Sequence, residues 1–311
     1  MNDDKRKAVM IGCGNVGSAI VFALIQEEIF TEIAMIDIDS SRAEGEAMDI
    51  SHGVPFASST EVYAGSYKDV EDADIVMITA GKNQRGNESR LSLINDNIKI
   101  FEEIIPNIMN NNFGGILLVV TNPVDILTHK AMEISGLPAG RVIGSGTVLD
   151  TARLKSILSK ELHVDTANIH AYIIGEHGDS EIVVWSAANV YGMPLDKFCD
   201  VRNADCGNAD NVRIRDEVRN SAREIILRKQ ATYYGIAMAV RAITEAIMLN
   251  KHRVLPVSVL MEGEHGISDI HMSMPAIVGR DGIEYKLPLR LSKEEEEGLV
   301  RSAATIKQAM S

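Results

Sequence analysis

A histidine between glycine and acid residues is the position in this chain best suited to proton transfer. His177 lies in the segment Ile174-Gly175-Glu176-His177-Gly178-Asp179-Ser180. Histidine is the side chain that most readily gains and loses a proton near pH 7. The apolar run 169–174 predicts a buried strand, so His177 is expected just past a strand end, where catalytic groups often lie. A lone histidine of this kind is more often an ordinary loop residue, so its role depends on what lies beside it.

Two charged residues on a predicted helix are candidate partners for this histidine. Residues 148–162 have helical periodicity, and Asp150 and Arg153 are three positions apart on one face of that helix. The simplest interpretation is an intrahelical ion pair. In the alternative, Arg153 offers its two-pronged guanidinium to a substrate carboxylate. Asp150 then orients His177 and stabilises the imidazolium.

A glycine-rich turn near the N-terminus predicts a dinucleotide site. A short apolar strand runs into Gly12-Cys13-Gly14-Asn15-Val16-Gly17, a helix follows, and the next strand ends at Asp37. In this pattern Gly12 makes a tight turn, Gly14 admits a pyrophosphate and Gly17 allows close helix packing. The phosphates meet the positive end of the helix. Asp37 can accept hydrogen bonds from both ribose hydroxyls and would repel a 2′-phosphate, which favours NAD over NADP.

Alternating strands and helices continue to about residue 145. They predict an α/β fold with a Rossmann-type, doubly wound parallel sheet whose strand ends bind the ligand. Helices and antiparallel strands follow, and they predict an α+β substrate domain. The expected division is an NAD-binding domain at 1–145 and a substrate-binding, catalytic domain at 146–311. The polar stretch 82–90 is predicted to be a lid, and Pro106 is expected to kink or end the helix 91–111.

Composition narrows the partners and the compartment. A formal net charge of −13 disfavours nucleic acid and anionic membranes as partners, although a local arginine cluster could still bind a small anion. Three cysteines make no disulfide framework and fit a reducing compartment. The N-terminal apolar run is too short for a signal peptide or a membrane span. We therefore expect a cytoplasmic protein, and no metal is predicted.

Taken together, the motifs resemble those of the lactate/malate dehydrogenase family over essentially the whole chain. They are Gly12-Cys13-Gly14-Asn15-Val16-Gly17, Thr79-Ala80-Gly81, Thr121-Asn122-Pro123-Val124-Asp125, residues 142–153, Gly175-Glu176-His177-Gly178-Asp179 and Ala231-Thr232-Tyr233-Tyr234-Gly235. The resemblance implies a homotetrameric enzyme that moves a hydride between NAD and a small 2-oxo or 2-hydroxy acid.

The resemblance also implies roles for individual residues. It makes His177 the proton donor and acceptor, with Asp150 as its partner. Arg153 would bind the substrate carboxylate, and Arg90 on the lid would polarise the substrate carbonyl. The implied substrate-binding set is Gln84, Arg90, Asn122, Asp150, Arg153 and Thr232. The implied cofactor-binding set is Gly12, Gly14, Val16, Gly17, Asp37, Arg42, Tyr67, Gly81, Thr121, Asn122, Ser145 and Ile236.

Position 84 on the lid distinguishes two substrates within this family. Malate dehydrogenases resemble this chain but have an arginine there, whereas this chain has Gln84. The second carboxylate of oxaloacetate needs a cation, and burying it unpaired under a closed lid would cost several kcal/mol. Gln84 and Thr232 instead suit the methyl group of pyruvate. The resemblance therefore implies reduction of pyruvate to L-lactate, as in glycolytic fermentation.

Departures from the family pattern leave other substrates open. The lid has Gly86-Asn87 in place of the usual proline and second glycine, Lys82 replaces a small residue, and Gln230 replaces a glycine beside Thr232. Larger 2-oxo acids, as taken by L-2-hydroxyisocaproate dehydrogenases, are the main alternative. A malate dehydrogenase and a non-catalytic nucleotide-binding protein are the others.

A regulatory site is a further expectation from the resemblance. Many bacterial members bind fructose bisphosphate between subunits through an arginine and a histidine. The matching positions here are Lys155 and His170. Lys155 keeps the positive charge but lacks the fork geometry of arginine, so activation by fructose bisphosphate is left open.

Overall fold

The computed structural model describes residues 5–82, 90–202 and 208–310, with side chains omitted at 90, 91 and 208–210. The helices are α1 (Asn15–Ile25), α2 (Ser40–Gly53), α3 (Arg90–Met109), α4 (Val124–Ser135), α5 (Val148–Leu162), α6 (Leu195–Arg202), α7 (Asn208–Lys229), α8 (Tyr234–Met248) and α9 (Lys293–Met310). The strands are β1 (Lys7–Ile11), β2 (Glu32–Ile36), β3 (Glu61–Ala64), β4 (Ile75–Ile78), β5 (Ile116–Val119), β6 (Val142–Gly144), β7 (Ile169–His170), β8 (Ile173–Ile174), β9 (Ile182–Val183), β10 (Asn189–Val190), β11 (Met193–Pro194), β12 (Arg253–Glu262), β13 (Ser268–Gly279) and β14 (Gly282–Lys286).

One nine-stranded sheet runs through both halves of the described chain, in the order β14-β13-β12-β6-β5-β4-β1-β2-β3. Strands β1 to β6 pair in parallel, and this part has the doubly wound order that the sequence predicted. Strands β12, β13 and β14 extend the sheet antiparallel, joined to β6 at Ser258 and Gly144. The prediction of a Rossmann-type sheet followed by an α+β half is therefore confirmed.

The central strands are buried on both faces, as parallel strands covered by helices must be. Alternate residues of β1 enter two separate cores: Met10 lies in one, with Met77 of β4. Val9 lies in the other, with Val76. The chain leaves β1 toward β2 on one side and returns to β4 on the other, so the ends of β1 and β4 form the crevice where such sheets bind ligands.

One local prediction from the sequence was wrong, and one of the two alternatives at Pro106, a helix end, is excluded. Residues 169–174 form no single strand: β7 pairs with β10 and β8 pairs with β9, so the chain crosses between two small sheets at Ala171. Helix α3 also continues through Pro106. The proline removes one backbone donor near the end of the helix, and the carbonyl that loses its partner belongs to Glu102, an exposed residue that water can reach. No described helix is long and apolar enough to cross a membrane.

A pair of buried histidines connects α4 to β13. The Nδ1 atoms of His129 and His271 lie 3.2 Å apart, so one ring must donate and the other accept. His271 is completely buried and its Nε2 has no hydrogen-bond partner in the described chain. Burial, reinforced by the charges of His129 and Lys286, lowers the pKa of His271 to about 3. The folded protein therefore holds this ring neutral.

This pair should make folding sensitive to acid. In the unfolded chain His271 takes up a proton near pH 6.5, whereas in the folded chain it does so only near pH 3. The unfolded state thus binds more protons between these values, and the free energy of unfolding should fall by about 2 kcal/mol from pH 7 to pH 5 on this account. Urea denaturation at the two pH values measures the difference.

The variant His271→Gln keeps a hydrogen-bonding group beside His129 and removes the titration, so its loss between pH 7 and pH 5 should be smaller. The matched variant His52→Gln changes an exposed histidine on α2 and should behave as wild type. An equal loss in His271→Gln and wild type would contradict the prediction.

Candidate active site

His177 follows β8, as the sequence predicted, and its loop is held against β13. Gly175 and Ser273 exchange two backbone hydrogen bonds of 2.9 Å. Gly175 has φ +93°, and a Cβ there would lie 2.8 Å from Oγ of Ser302 on α9. Only glycine fits this backbone and this approach. The turn before His177 is therefore fixed by two elements from the C-terminal third of the chain.

Asp150 of α5 joins the histidine to an arginine. One carboxylate oxygen of Asp150 lies 2.6 Å from His177 Nδ1, and the other accepts from an Arg153 terminal nitrogen at 2.7 Å. The side chains are 4 % exposed for Asp150, 14 % for Arg153 and 26 % for His177. The intrahelical ion pair is thus confirmed, and Asp150 also binds His177.

The ion pairs set the protonation states at this cluster. Burial alone would lower the pKa of His177, but the charge and hydrogen bond of Asp150 outweigh it and raise the pKa to about 9. Burial would raise the pKa of Asp150, yet His177 and Arg153 hold it below its usual value. The cluster at neutral pH is therefore an imidazolium, a carboxylate and a guanidinium. Because Nδ1 faces Asp150, His177 can exchange its proton with a ligand only through Nε2.

Helix α5 is fastened to the strand that carries the histidine. The hydroxyl of Thr147 donates to the carbonyl of Ile173, and the hydroxyl of Thr151 accepts from the backbone N–H of Ile173 at 2.9 Å. These threonines lie on either side of Asp150 in sequence, and Ile173 lies four residues before His177. The separation of Asp150 and His177 is thus set by polar contacts on both chain segments.

Sequence reasoning missed the role of Asp125 on α4. Its carboxylate accepts from the backbone N–H of His177 at 2.8 Å and from the hydroxyl of Ser258 at 2.6 Å. Burial raises the pKa of Asp125 to about 6, against the lowering effect of these two hydrogen bonds. Asp125 belonged to a motif quoted above. Nothing in the sequence indicated that it would contact His177, which is 52 positions away, or Ser258, which is 133 positions away.

Glu181 was also missed. It is buried, and one of its carboxylate oxygens lies within 4.8 Å of ligand atoms of both Asp150 and His177. Burial and the charge of Asp150 raise its pKa to about 8. The only sequence signal for Glu181 was its position two residues after Asp179. An acid exposed to solvent could occupy the same position in the sequence.

The glycine-rich turn has the geometry that a pyrophosphate needs. Gly12 has φ +101°, and a Cβ there would lie 2.5 Å from the backbone nitrogen of Ala80. A Cβ at Gly17 would lie 1.9 Å from the carbonyl oxygen of Gly12. Gly14, by contrast, faces open space within 4 Å, and no side chain caps α1 there. The turn is closed toward the sheet and open toward the helix N-terminus, where an anion can bind.

Asp37, just after β2, and Arg42, on α2, hold the same turn. The backbone N–H of Cys13 donates to Asp37 at 2.6 Å, and Nε of Arg42 donates to the carbonyl of Cys13 at 2.8 Å. Asp37 also accepts from the backbone N–H of Asp39 at 3.0 Å. Both side chains therefore hold the glycine-rich turn in place, and Asp37 retains lone pairs that can accept further hydrogen bonds.

The ends of β4, β5 and β6 bring the next predicted residues together. The hydroxyl of Thr121 donates to the carbonyl of Ala80 at 2.8 Å, and a Cβ at Gly81 would lie 2.4 Å from Thr121 Cγ2. The amide of Asn97, a residue that sequence reasoning missed, donates to the carbonyl of Asn122 at 2.9 Å. Ser145 is buried beside the end of β5, where its backbone N–H donates to the carbonyl of Val119.

The remaining predicted residues lie on several other elements. Val16, Tyr67, Thr232 and Ile236 are all half-buried, with Thr232 ahead of α8 and Ile236 within it. Gly235, between them, approaches Leu149, the neighbour of Asp150. His170 is exposed on β7, and Lys155 is half-buried on α5, where burial and the charge of Arg253 lower its pKa. Gln84 lies outside the described residues, and so does the side chain of Arg90, although α3 begins there.

Comparison with known proteins agrees with this geometry. The NAD binding domain model of lactate/malate dehydrogenase matches residues 6–144, and the alpha/beta C-terminal domain model matches 147–311. An L-lactate dehydrogenase of Priestia megaterium is 48 % identical over 303 residues, covering 97 % of this chain and 95 % of that one. L-lactate dehydrogenase 1 of Clostridium acetobutylicum is 47 % identical over 304 residues, covering 98 % and 97 %.

Solved structures give the same result. The ligand-bound minor L-lactate dehydrogenase of Enterococcus mundtii superposes with a TM-score of 0.96 at 39 % identity, covering 98 % of each chain. A lactate dehydrogenase from a deep-sea metagenome library of the Medee basin gives 0.94 at 44 % identity, also covering 98 % of each chain. The predicted cofactor class, NAD, is confirmed by the first domain model. From its NAD-binding half to its last helix, the chain belongs to the lactate/malate dehydrogenase family.

Proposed function

We propose that this chain is an NAD-dependent L-lactate dehydrogenase, which interconverts pyruvate and L-lactate by transfer of one hydride and one proton. The observation that carries the proposal is the buried Asp150 carboxylate, bound at once by His177 and by Arg153. A proton donor and a carboxylate-binding group are thereby held side by side. This pair of functions is what reduction of a 2-oxo acid requires.

The charge of the cluster suits a monocarboxylate. His177 and Arg153 each contribute one positive charge and Asp150 one negative charge, so the three groups carry a net charge of about +1 at neutral pH. Arg153 donates to Asp150 through one terminal nitrogen, and its remaining N–H groups can bind a substrate carboxylate. Nε2 of His177 then donates to the ketone oxygen, and the alkoxide that forms takes the proton.

The nucleotide end of the crevice suits NAD. The backbone at Gly14 is open to a pyrophosphate, Asp37 is acidic where a ribose would lie, and the exposed apolar side chain of Ile38 offers a surface for the adenine ring. NADH, when bound, supplies the hydride that reduces the carbonyl carbon. Asn122, Ser145 and Ile236 would then border its nicotinamide, as the family resemblance implies.

The lid supplies the remaining two groups of the proposal. We assign Arg90 to the substrate carbonyl oxygen, where its charge would stabilise a developing alkoxide. Gln84 is assigned to the substrate side chain, which favours the methyl group of pyruvate over a second carboxylate. Both assignments rest on the sequence of residues 82–90.

A regulatory anion site and a larger assembly complete the proposal. Lys155 lies close enough to Arg253 for the two charges to interact, and two neighbouring cations suit a sugar bisphosphate. We therefore propose that fructose bisphosphate binds near Lys155, Arg253 and His170. Exposed apolar side chains at Phe22, Leu227 and Met238 support burial between subunits of a homotetramer. The sparse cysteines support a cytoplasmic location.

An NADH-oxidation screen tests this function. With pyruvate, oxaloacetate, 2-oxobutyrate and 2-oxoisocaproate as substrates, kcat/KM should be highest for pyruvate. The screen is run with and without fructose bisphosphate, which should lower the KM for pyruvate in the wild type and not in Lys155→Gln. Highest activity with 2-oxoisocaproate would instead indicate a 2-hydroxyisocaproate dehydrogenase, and NADH binding without turnover would indicate a non-catalytic protein.

Replacing Gln84 by arginine should change the preferred substrate. Gln84→Arg introduces the cation that the second carboxylate of oxaloacetate lacks, so oxaloacetate turnover should rise at least tenfold relative to pyruvate, equivalent to about 1.4 kcal/mol. Gln84→Met, of similar length and uncharged, serves as the control and should produce no such gain. If Gln84→Arg leaves the ratio of the two kcat/KM values unchanged, the assignment of Gln84 is wrong.

The pH profile of pyruvate reduction tests the pairing of Asp150 with His177. The reaction needs protonated His177, so the wild-type rate should fall as pH rises through about 9. Asp150→Asn removes the main influence that raises this pKa and leaves the burial that lowers it, so the fall should move to lower pH and kcat should decrease. Lactate oxidation needs neutral His177 and should become active at lower pH in the same variant.

Asp165→Asn, at an exposed acid that caps the turn after α5, is the control and should retain the wild-type profile. An unchanged alkaline limb in Asp150→Asn would remove Asp150 from its assigned role.

A further inference from the structure

Glu181 is a second buried acid beside the catalytic cluster. It lies just ahead of β9, is 4 % exposed, and has a carboxylate oxygen within 4.8 Å of ligand atoms of Asp150 and His177. A carboxylate so close to Asp150 should be repelled by it, and burial adds to the cost of ionising it. The reaction as proposed above has no use for this side chain.

Arg219 contacts Glu181 but does not pair with its carboxylate in the described chain. Arg219 of α7 donates a terminal N–H to the backbone carbonyl of Glu181 at 2.7 Å, and its Nε is buried with no hydrogen-bond partner in the described chain. Within residues 5–82, 90–202 and 208–310, no hydrogen bond or ion pair reaches the Glu181 carboxylate itself. Such a group stays neutral over much of the ordinary pH range.

The charged groups around Glu181 act in opposite directions. Burial and Asp150 raise its pKa to about 8, while His177, Arg219 and Arg153 oppose them. Glu181 in turn raises the pKa of His177, together with Asp150 and with Asp125. Glu181 and His177 thus titrate as a coupled pair in alkaline solution. Once Glu181 has lost its proton, its negative charge holds the proton of His177 more firmly.

We propose that Glu181 is a positioning residue that adjusts the charge of the substrate site. It is neutral at pH 7, so the His177, Asp150 and Arg153 cluster keeps the net positive charge that attracts a monoanion. In alkaline solution it ionises, offsets that charge and stabilises the His177 imidazolium. The inference rests on the proposed function, because its consequences are read in the binding and reduction of pyruvate.

Two kinetic consequences follow: ionised Glu181 should weaken the binding of pyruvate, and it should extend kcat to higher pH. As Glu181 ionises above pH 8, the wild-type KM for pyruvate should rise several-fold, because the added charge repels the substrate carboxylate. The same charge should keep kcat high to a higher pH, because it keeps His177 protonated. A residue that only supported the fold would change neither dependence.

The test is the pH dependence of KM and kcat for pyruvate reduction in wild type and Glu181→Gln. Between pH 7 and pH 8, where His177 stays mostly protonated in both proteins, the KM of the variant should rise less than the wild-type KM, because only the wild type gains the charge of Glu181 in this range. Its kcat should match wild type at pH 6.5 and fall about twofold below it at pH 9, the effect of a decrease of half a pH unit in a His177 pKa of about 9. Glu181→Asp retains an acid and should restore the rise of KM with pH.

Glu295→Gln is the matched control. Glu295 is a buried acid on α9 whose carboxylate accepts from Ser186 and Ser292, away from the cluster, and its variant should keep both wild-type dependences. A wild-type KM curve in Glu181→Gln, or a loss of kcat that is equal at every pH, would overturn the inference. A wild-type enzyme that does not reduce pyruvate would instead overturn the proposed function.

Discussion

The active site depends on one shared carboxylate. Asp150 is almost completely buried and would be neutral there by itself, since burial raises the pKa of a lone acid. It stays charged because His177 and Arg153 bind its two oxygens at 2.6 and 2.7 Å. In return it keeps His177 protonated and Arg153 oriented. Removing Asp150 leaves His177 and Arg153 without their shared counter-charge, and removing either cation leaves a neutral pair, so the protonation state, the geometry and the affinity for an anion are a single property.

The fold builds this contact from several distant segments. Thr147 and Thr151 fasten α5 to Ile173, while Asp125 of α4 accepts from the backbone of His177 and from Ser258 of β12. Asp125 comes from the part of the chain that also forms the nucleotide crevice. The residue that holds the proton donor is thus three positions beyond Asn122, which the family resemblance assigns to the nicotinamide. The short segment from Asn122 to Asp125, which includes the first turn of α4, therefore fixes the position of the proton donor relative to the cofactor.

What the sequence could predict follows from where each signal lies. The glycine turn, Asp37 and the buried strands are local patterns, so the parallel sheet and the crevice were predictable. The pairing of Asp150 with His177 spans 27 residues and was predicted only through helical spacing and a known motif. Asp125, Asn97 and Glu181 have ordinary surroundings in sequence and acquire roles only through tertiary contacts. The strand at 169–174 failed for the same reason, because its apolar residues serve two different sheets.

The cluster also explains how a chain with a formal net charge of −13 can receive an anion. Surface charges are screened over about 8 Å at physiological salt, whereas charges in a buried crevice interact at a lower effective dielectric constant. The sequence left open that a local arginine cluster could bind a small anion. Among the described side chains the cluster has one arginine and one histidine, and Asp150 raises the pKa of the histidine far enough to make it a second cation. Asp150 therefore leaves the net charge of the cluster near +1, but it places one of the positive charges on the group that donates the proton.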